Sequence, residues 1–323
     1  MPPRFANLTP ADWPVIVAGR FAAQIRRDGD PDGCQIALIG LPDELGVTLN
    51  NGRSGAALGP AAFRAALARY GAPWDAGTNK ELRAGVIDLG DIPPVRPQNG
   101  EGVEWALSQT HHRVTETLLE VHKAGLLPVC IGGGHDLTLP TVRALSLHEG
   151  IPVGGVNVDA HLDVRETIGS GMPFRALIDG GFVAPSAFAV VGAGRFVNSP
   201  EHVKWLIARG GHISTGPDMP ARTWHDQGPR VRFVSFDMDA IDGAYAPGVS
   251  AVNPGGLSAR EAQLIVDAAG RDPAVRHFDI MELCPTHDDP AYDPMHPERV
   301  GRTARLAALL FLTFLAAYSE RTA

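Results

Sequence analysis

Acidic residues and a histidine alternate in one short stretch of the chain. Asp159, His161 and Asp163 are separated from one another by single residues. Side chains two residues apart on an extended chain point to the same side, so we expect these three to converge. Two carboxylates about 4 Å apart repel each other by roughly 4 kcal/mol at an effective dielectric constant near 20. Either one carboxylate takes up a proton or a cation holds both, and the spacing therefore predicts a metal site.

Two other parts of the chain carry the same kinds of side chain. Asp237 and Asp239 form a second alternating acidic pair, and His135 follows three glycines. Each group comes after an apolar run, which predicts a strand. The carboxyl ends of neighbouring parallel strands open onto one crevice. We therefore expect all three groups to meet at one edge of a sheet.

The charges of these side chains favour a pair of divalent cations. Four carboxylates balance two such ions, whereas a single ion would leave the cluster anionic. Asp159 and Asp237, each the first in its run, are predicted to bridge the two ions. Oxygen ligands with histidine and without thiolate favour manganese over a structural zinc ion. A water molecule between two such ions loses a proton near neutral pH and becomes a nucleophile.

Other interpretations of these motifs are less specific. Asp237 and Asp239 could cap a turn after a strand, and Asp242, which is out of phase with them, is predicted to be a turn residue or to support the ligands. The glycines before His135 are not followed by the Gly-Lys-Ser/Thr of a phosphate-binding loop. Gly192 and Gly194 have the spacing of a dinucleotide-binding turn, but Val197 stands where that motif has its third glycine. A Gly-x-Ser-x-Gly motif is absent, which disfavours a serine hydrolase.

The composition favours a large α/β protein with a sizeable core. The 323 residues are 44% hydrophobic and 20% charged, and we expect one domain over residues 1–323, with the motifs between about residues 35 and 320. The formal net charge is −8 and no lysine-arginine run occurs, which argues against a nucleic-acid partner. Three scattered cysteines without CxxC spacing favour a reduced, cytoplasmic protein.

The termini carry no pattern that predicts membrane insertion. The first residues lack the apolar core of a signal peptide. The apolar stretch at residues 306–318 is shorter than the roughly 20 residues that a membrane helix needs. We therefore expect no membrane partner, and a buried helix near the C-terminus.

Strand-like and helix-like stretches alternate along the chain. Strands are predicted at residues 35–39, 85–89, 127–131, 153–158, 188–191, 231–236 and 275–281. Helices are predicted at residues 60–70, 103–124, 201–209, 259–269 and 303–318. Loops rich in Gly, Pro and Asp are predicted at residues 71–79, 91–102, 215–229 and 286–297. This alternation favours a mostly parallel sheet with helices on both faces.

The motifs together resemble those of the ureohydrolase family, whose members include arginase, agmatinase, guanidinobutyrase and formimidoylglutamase. The matching segments are residues 132–136, 159–163 and 235–242, and Glu282 in Met281-Glu282-Leu283. The similarity runs from about residue 36 to the C-terminus. It implies an arginase-like, three-layer α/β/α fold, two Mn²⁺ ions per subunit with a bridging hydroxide, and a homo-oligomer, usually a trimer or hexamer.

The resemblance also implies a role for each residue of the motifs. One metal would be held by His135, Asp159, Asp163 and Asp237. The other would be held by Asp159, His161, Asp237 and Asp239. Two residues would act in catalysis: Asp163 would hydrogen-bond the hydroxide and handle its proton, and Glu282 would bind the amidine or guanidine nitrogens of the substrate. A carboxylate suits that second role because it accepts well-directed hydrogen bonds from a planar cation.

The substrate class follows from residues near the motifs. Arg165 resembles the formimidoylglutamase pattern, and it could bind a carboxylate of formimidoylglutamate, whereas agmatine has none. Ser170 stands where agmatinase-like members have histidine. Arg175, Arg195 and Ser170 are further predicted substrate contacts, although Arg175 could equally be a surface charge. Asp136 departs from the pattern, because many formimidoylglutamases have glutamate there.

These features favour one reaction over two alternatives. The favoured reaction is hydrolysis of a linear amidine, N-formimidoyl-L-glutamate, to L-glutamate and formamide, as in histidine degradation. The first alternative is a guanidino-compound hydrolase of the guanidinobutyrase or agmatinase type, which would release urea. The second is a metal-stabilised binding protein of the same fold without activity.

Overall fold

The structure is a computed structural model that describes residues 5–82, 84–98, 100–218 and 230–322, with the backbone alone at residue 322. The strands are β1 (Ile36–Leu41), β2 (Trp74–Asp75), β3 (Lys80–Glu81), β4 (Val86–Asp91), β5 (Leu127–Gly132), β6 (Val153–Val158), β7 (Val183–Val191), β8 (His212–Ser214), β9 (Arg232–Asp237) and β10 (Val275–Met281). The helices are α1 (Leu45–Leu49), α2 (Gly59–Arg69), α3 (Val103–Lys123), α4 (Thr138–Glu149), α5 (Pro173–Asp179), α6 (Pro200–Ala208), α7 (Ala259–Arg271) and α8 (Arg302–Ser319).

Eight of these strands form one sheet in the order β4-β1-β5-β10-β9-β6-β7-β8. Each neighbouring pair in this sheet is parallel. β2 and β3 form a separate antiparallel pair. Parallel strands place their carboxyl ends at the same edge, so β5, β10, β9 and β6 end side by side in the middle of the sheet. The mostly parallel sheet predicted from the sequence is confirmed.

Helices cover both faces of the sheet, which confirms the three-layer α/β/α prediction. Alternate residues of β1 point to opposite cores: Ile36 and Leu38 pack with α2, α7 and α8, whereas Ala37 and Ile39 pack with α3 and α4. A third cluster joins β6 and β7 to α4, α5 and α6. β1 is buried along its whole length, as expected of a parallel strand covered on both faces.

The helix ends follow local sequence signals. Ser258 and Glu261 form a capping box at the start of α7, in which each side chain accepts a hydrogen bond from the other residue's backbone N–H. Gly150 ends α4 in the left-handed conformation, with φ of 69°. The predicted C-terminal helix corresponds to α8, whose apolar residues are mostly buried. Within the described residues, no helix has both the length and the apolar character needed to cross a membrane.

Several elements were not predicted from the sequence. α4 is buried on nearly every side, so its residues show no helical period of apolar positions. α5 and α1 are short, and β8 lies at the edge of the sheet. β7 begins five residues earlier than the strand predicted at residues 188–191. The loop predicted at residues 215–229 lies largely outside the described residues.

Candidate metal centre

Polar side chains follow the four central strands where their carboxyl ends meet. His135 comes shortly after β5, Asp159 follows β6, Asp237 ends β9, and Glu282 follows β10. These strands are neighbours in the sheet, so residues far apart in the sequence come together. The structure thus places a histidine and three acidic residues at the edge where ligands bind in open α/β sheets.

The glycines before His135 allow three parts of the chain to approach closely. A Cβ atom at Gly133 would lie 1.7 Å from the backbone oxygen of Asp43, and one at Gly132 would lie 1.9 Å from Met281 Sδ. Gly133 and Gly134 donate backbone hydrogen bonds to Leu41 and Asp43, at 2.9 and 3.0 Å. Glycine is therefore required here because the backbone itself packs against the ends of β1 and β10.

Asp159, His161 and Asp163 follow the predicted strand, but they do not lie on the extended chain that was assumed for their convergence. β6 ends at Val158, and the chain then bends. One oxygen of Asp159 accepts a hydrogen bond from the His161 backbone N–H at 2.6 Å, and Asp163 has a left-handed φ of 48°. The side chains do converge, but a tight bend brings them together instead of strand alternation.

The turn after β9 gives Asp237 two tasks. Asp237 Oδ1 accepts a hydrogen bond from the Asp239 backbone N–H at 2.7 Å, which caps a short 3₁₀ turn. Asp237 Oδ2 lies 3.0 Å from His135 Nδ1. The capping role and a ligand role are therefore compatible, with one oxygen for each. Asp242 is a turn residue that accepts a hydrogen bond from the Ala244 backbone N–H.

Two groups of potential ligand atoms lie next to each other at this edge, and within each group the atoms are within 4.8 Å of one another. The first group consists of His135, Asp159, Asp163 and Asp237. The second group consists of Asp159, His161 and Asp239. Asp159 belongs to both groups and thus has the bridging position expected of it. Asp237 belongs only to the first group, and its other oxygen accepts the turn hydrogen bond.

The first group is arranged around one nitrogen atom in a way that suits a cation. His135 Nδ1 lies 3.2 Å from Asp159 Oδ2, 2.9 Å from Asp163 Oδ2 and 3.0 Å from Asp237 Oδ2. The nitrogen has no hydrogen bond of good geometry to any of them. One N–H could serve only one carboxylate, whereas a divalent ion accepts all four ligand atoms. The donor set therefore fits a divalent metal ion.

The pKa values of the acidic residues report how crowded the site is. Burial raises the pKa of Asp237 well above its ordinary value, and the charges of Asp239 and Asp159 raise it further. Burial also raises the pKa of Asp239, to about 6, against the opposing effect of His161. Burial alone would lower the pKa of His135, but the carboxylates around it raise that pKa well above its usual range. Negative charge is thus concentrated here, as a cation site requires.

Glu282 presents an unused carboxylate oxygen to the same site. Its backbone has a left-handed φ of 59°, which is uncommon for a residue other than glycine, asparagine or aspartate. Oε1 accepts a hydrogen bond from the His135 backbone N–H at 2.9 Å, whereas Oε2 is buried and has no hydrogen-bond partner among the described residues. Burial raises the pKa of Glu282 to about 8. Strained backbone at Glu282 and Asp163 is typical of functional sites.

A cavity of about 300 Å³ lies over these residues. Its wall includes both histidines and Asp163, Asp237, Asp239 and Glu282 of the centre, and also Asn50, Arg53, Arg165 and Ser170. Arg165 Nη1 donates a hydrogen bond to Asn50 Oδ1 at 3.0 Å, and Asn50 Nδ2 donates one to Ser170 Oγ at 3.1 Å. The cavity is therefore lined by cationic and neutral hydrogen-bonding groups as well as by the acidic centre.

The other two arginines predicted to contact substrate lie elsewhere. Arg175 forms an ion pair with Glu166, and its guanidinium group lies 4.8 Å from the ring centre of Trp205. Arg195 is exposed, with its guanidinium group 5.4 Å from the ring centre of Phe196. Neither arginine is among the described residues that line the cavity. The side chain of Arg175 is 17% exposed and forms its contacts outside the cavity.

Several residues of the cavity wall were not predicted from the sequence, among them Asn50 and Arg53. Asn50 links Arg165 to Ser170, and Arg53 donates hydrogen bonds to the backbone oxygens of Ser250 and Val249. Both belong to the segment between α1 and α2. Asn50 is held at the cavity by its hydrogen bonds with Arg165 and Ser170, and local sequence does not encode such long-range contacts.

Comparisons with known proteins agree with this geometry. The sequence profile of the Arginase family matches residues 34–316. The formimidoylglutamase of Halobacterium salinarum is 36% identical over 314 residues, which cover 92% of each chain. The guanidinopropionase of Pseudomonas aeruginosa is 32% identical over 286 residues, 80% of this chain and 82% of that protein. The crystal structure of Trypanosoma cruzi formiminoglutamase with Mn²⁺ has a TM-score of 0.80 and 28% identity, and covers 96% of this chain and 100% of that one. The chain therefore belongs to the arginase family of hydrolases.

Proposed function

We propose that this protein hydrolyses N-formimidoyl-L-glutamate to L-glutamate and formamide, with two Mn²⁺ ions per subunit. One observation carries the proposal: the acidic centre and Arg165 line the same small cavity. The substrate has a cationic amidine at one end and two carboxylates at the other. The acidic centre is complementary to the first end, and the arginine to the second. The formimidoylglutamase of H. salinarum, at 36% identity, supports the same reaction.

The residues of the centre divide into metal ligands and groups that act on the substrate. His135, Asp159, Asp163 and Asp237 would hold one ion, and Asp159, His161 and Asp239 the other. When bound, two divalent ions would lower the pKa of a water molecule and so provide a nucleophile near neutral pH. Bridging roles for Asp159, which belongs to both groups, and for Asp237 stay predictions, since the oxygen of Asp237 that accepts the turn hydrogen bond could still bind an ion.

Glu282 is suited to orient the amidine. Its Oε2 atom is buried and free to accept a hydrogen bond, while Oε1 is fixed by the His135 backbone N–H. An amidinium N–H would donate to Oε2, which would turn the amidine carbon toward the centre. The acceptor is held in place before the substrate arrives, so little ordering of the side chain is needed on binding.

Asp163 is suited to move the proton that the reaction requires. It offers one oxygen to the first group, which leaves the other oxygen for the attacking water. Addition of water to the amidine carbon forms a C–O bond, and the proton released passes to Asp163. The same proton is delivered to the glutamate nitrogen as its C–N bond breaks, so that formamide and the free amine leave. General acid–base transfer of this kind typically contributes 10²–10⁴-fold to the rate.

Arg165, which lines the same cavity, is suited to bind a substrate carboxylate. Its side chain is exposed and held by Asn50, which is in turn held by Ser170. Gly171 keeps the space next to it open, since a Cβ atom there would lie 2.9 Å from Arg165 Cδ. The guanidinium group is thus oriented before binding, and agmatine would offer it no carboxylate.

A guanidino acid is the second candidate substrate, because a guanidinopropionase is also among the relatives. Such a compound likewise carries a planar cation and a carboxylate, but its hydrolysis releases urea. The purified protein should be incubated with Mn²⁺ and, separately, formimidoylglutamate, guanidinopropionate, guanidinobutyrate and agmatine. We expect formamide and glutamate from the first and no urea from the others. Release of urea with formimidoylglutamate left intact would refute the proposed substrate.

The family resemblance also supports proposals about the assembly and its location. We infer a homo-oligomer, a trimer or hexamer, in the cytoplasm. Analytical ultracentrifugation of the purified protein would measure its mass, and a monomer at micromolar concentration would contradict the first of these proposals. The activity proposed above does not depend on either.

A further inference from the structure

A buried chain of hydrogen bonds runs from His135 away from the acidic centre. His135 Nε2 lies 3.0 Å from Ser235 Oγ, which lies 2.6 Å from Asp279 Oδ1. The other oxygen of Asp279 lies 2.9 Å from His277 Nε2. Each of these four side chains is at most 1% exposed. These hydrogen bonds therefore connect His135, a proposed metal ligand, to a histidine and a carboxylate on β10 that do not line the cavity.

The available donors and acceptors fix the direction of each hydrogen bond. His135 Nδ1 faces the carboxylates and would bind the metal, so its ring proton is on Nε2 and is donated to Ser235 Oγ. The Ser235 hydroxyl donates to Asp279 Oδ1, because a carboxylate oxygen only accepts. On the other side, His277 Nε2–H and the Thr138 hydroxyl, at 3.2 Å, donate to Asp279 Oδ2. The donors on both sides thus converge on Asp279.

A carboxylate in this position is costly unless it is well hydrogen-bonded. Asp279 is 0% exposed, and its charge is stabilised by the hydroxyls of Ser235 and Thr138 and by His277. A metal-bound histidine usually donates its other N–H to a carboxylate, a carbonyl or water, which fixes its tautomer and raises its basicity. Here the Ser235 hydroxyl lies between the His135 ring and the Asp279 carboxylate, so that the carboxylate polarises the His135 N–H through the hydroxyl.

We propose that Asp279, held in place by His277, is a positioning residue for the first metal group. Through Ser235 it keeps the His135 proton on Nε2 and fixes the ring plane, so that Nδ1 is directed at the ion. This inference rests on the proposed function only in that the first group must bind a divalent ion. Its effect is on metal affinity and ligand geometry, and neither Asp279 nor His277 contacts the substrate.

The variant Asp279→Asn tests the proposal because it keeps the shape of the side chain and removes its charge. Mn²⁺ binding to the folded, metal-free protein should be measured by isothermal titration calorimetry, in the wild-type chain and in a His161→Ala background that disables the second group. We expect the dissociation constant of the first group to rise about 10- to 100-fold. Co²⁺ loaded in place of Mn²⁺ should show an altered visible absorption band, which reports on the geometry at His135.

The matched control is Asp288→Asn. Asp288 is also a buried carboxylate, and it accepts hydrogen bonds from the Thr303 hydroxyl and backbone N–H at the start of α8. It takes no part in the hydrogen bonds between His135 and His277. This variant makes the same chemical change and should lower stability, but the Mn²⁺ dissociation constant should stay within about twofold of wild type. A difference between the two variants therefore separates positioning from a general loss of stability.

A pair of variants at His277 provides a second test, which also decides the matter if Asp279→Asn does not fold. His277→Leu removes the N–H donor, whereas His277→Gln retains one on a side chain of comparable length. We expect the leucine variant to weaken Mn²⁺ binding by a similar factor, and the glutamine variant to restore most of the affinity.

The outcomes distinguish this inference from the proposed function. Equal affinities for the leucine and glutamine variants, or a wild-type dissociation constant and Co²⁺ spectrum for Asp279→Asn, would overturn the positioning role and leave the proposed function intact. A wild-type protein that binds no divalent ion would overturn both.

Discussion

Replacing Glu282 with glutamine should separate activity from stability. The carboxylate has one oxygen fixed by the His135 backbone N–H and one buried oxygen without a partner among the described residues. In Glu282→Gln, the amide oxygen can keep the first hydrogen bond. The amide NH₂ group then replaces the free oxygen, so a donor faces the amidinium N–H that is proposed to bind there.

The magnitude of each effect follows from this geometry. Breaking a buried charge pair by removing one partner costs roughly 3–5 kcal/mol, so kcat/KM should fall by roughly 10²- to 10⁴-fold. Stability should change in the opposite direction in metal-free protein. Burial raises the pKa of Glu282 from 4.5 to about 8, so folding is penalised as pH rises above 4.5, with the full penalty reached at about pH 8. At pH 7 the variant should be more stable by roughly 3 kcal/mol.

Two measurements check this prediction. Steady-state kinetics with Mn²⁺ and formimidoylglutamate give kcat/KM, and urea denaturation in the presence of a chelator gives the free energy of unfolding at pH 4 and pH 7. Glu166→Gln is the matched control, because Glu166 is exposed and paired with Arg175 outside the cavity. Activity within threefold of wild type would show that Glu282 does not contact the substrate. A variant less stable than wild type at pH 7 would show that the buried carboxylate of Glu282 does not destabilise the folded protein.

Three further predictions follow from the same contacts. Removal of metal with a chelator should abolish turnover and lower the melting temperature; Mn²⁺ at 100 times its dissociation constant should restore both and add about 2.7 kcal/mol per site, whereas calorimetry without such a shift would contradict a metal centre. Arg165→Leu should raise KM roughly 10- to 100-fold through loss of a charge-assisted hydrogen bond, and Arg175→Leu should not, so equal KM values would refute the assignment of Arg165. Asp43→Asn should stabilise the protein by about 3 kcal/mol above pH 6, because burial and Asp136 raise the pKa of Asp43 from 3.8 to about 6; the gain should shrink as pH falls below 6 and vanish below 3.8, and chemical denaturation across this range that showed no such trend would contradict it.

The sheet was predictable because each central strand is a buried apolar run followed directly by a polar motif. β6 and β10 have the predicted bounds, and β5 and β9 differ from theirs by one residue. The rule that parallel strands end at a common edge was then sufficient to bring His135, Asp159 and Asp237 together. Neither the order of the strands nor the depth of burial was needed for that step.

The remainder depended on tertiary contacts that local sequence does not specify. At the bend after β6 the Asp159 side chain accepts a hydrogen bond from the His161 backbone N–H, so the period-two spacing of the ligands does not correspond to extended chain. Asn50 reaches Arg165 across 115 positions of the chain. His277 and Asp279 alternate within a buried strand, and two polar residues in such a strand are the one feature of the sequence that indicates their hydrogen bonds.

The acidic centre combines charge repulsion with an uncommon backbone conformation, and the surrounding fold must offset both. Three carboxylates of the two groups and that of Glu282 line one cavity, Asp159 is fully buried in the same centre, and Asp163 and Glu282 both adopt a left-handed backbone. Burial and like charges oppose this arrangement, so it persists only where the sheet on both sides fixes the backbone. Removal of the repulsion by substitution should stabilise the metal-free chain, whereas bound cations should stabilise the wild-type chain more than any such variant. Without Mn²⁺ the variant should have the higher free energy of unfolding, and with Mn²⁺ the wild type should. A reversal of this order as Mn²⁺ is added would identify the centre as a cation-binding site.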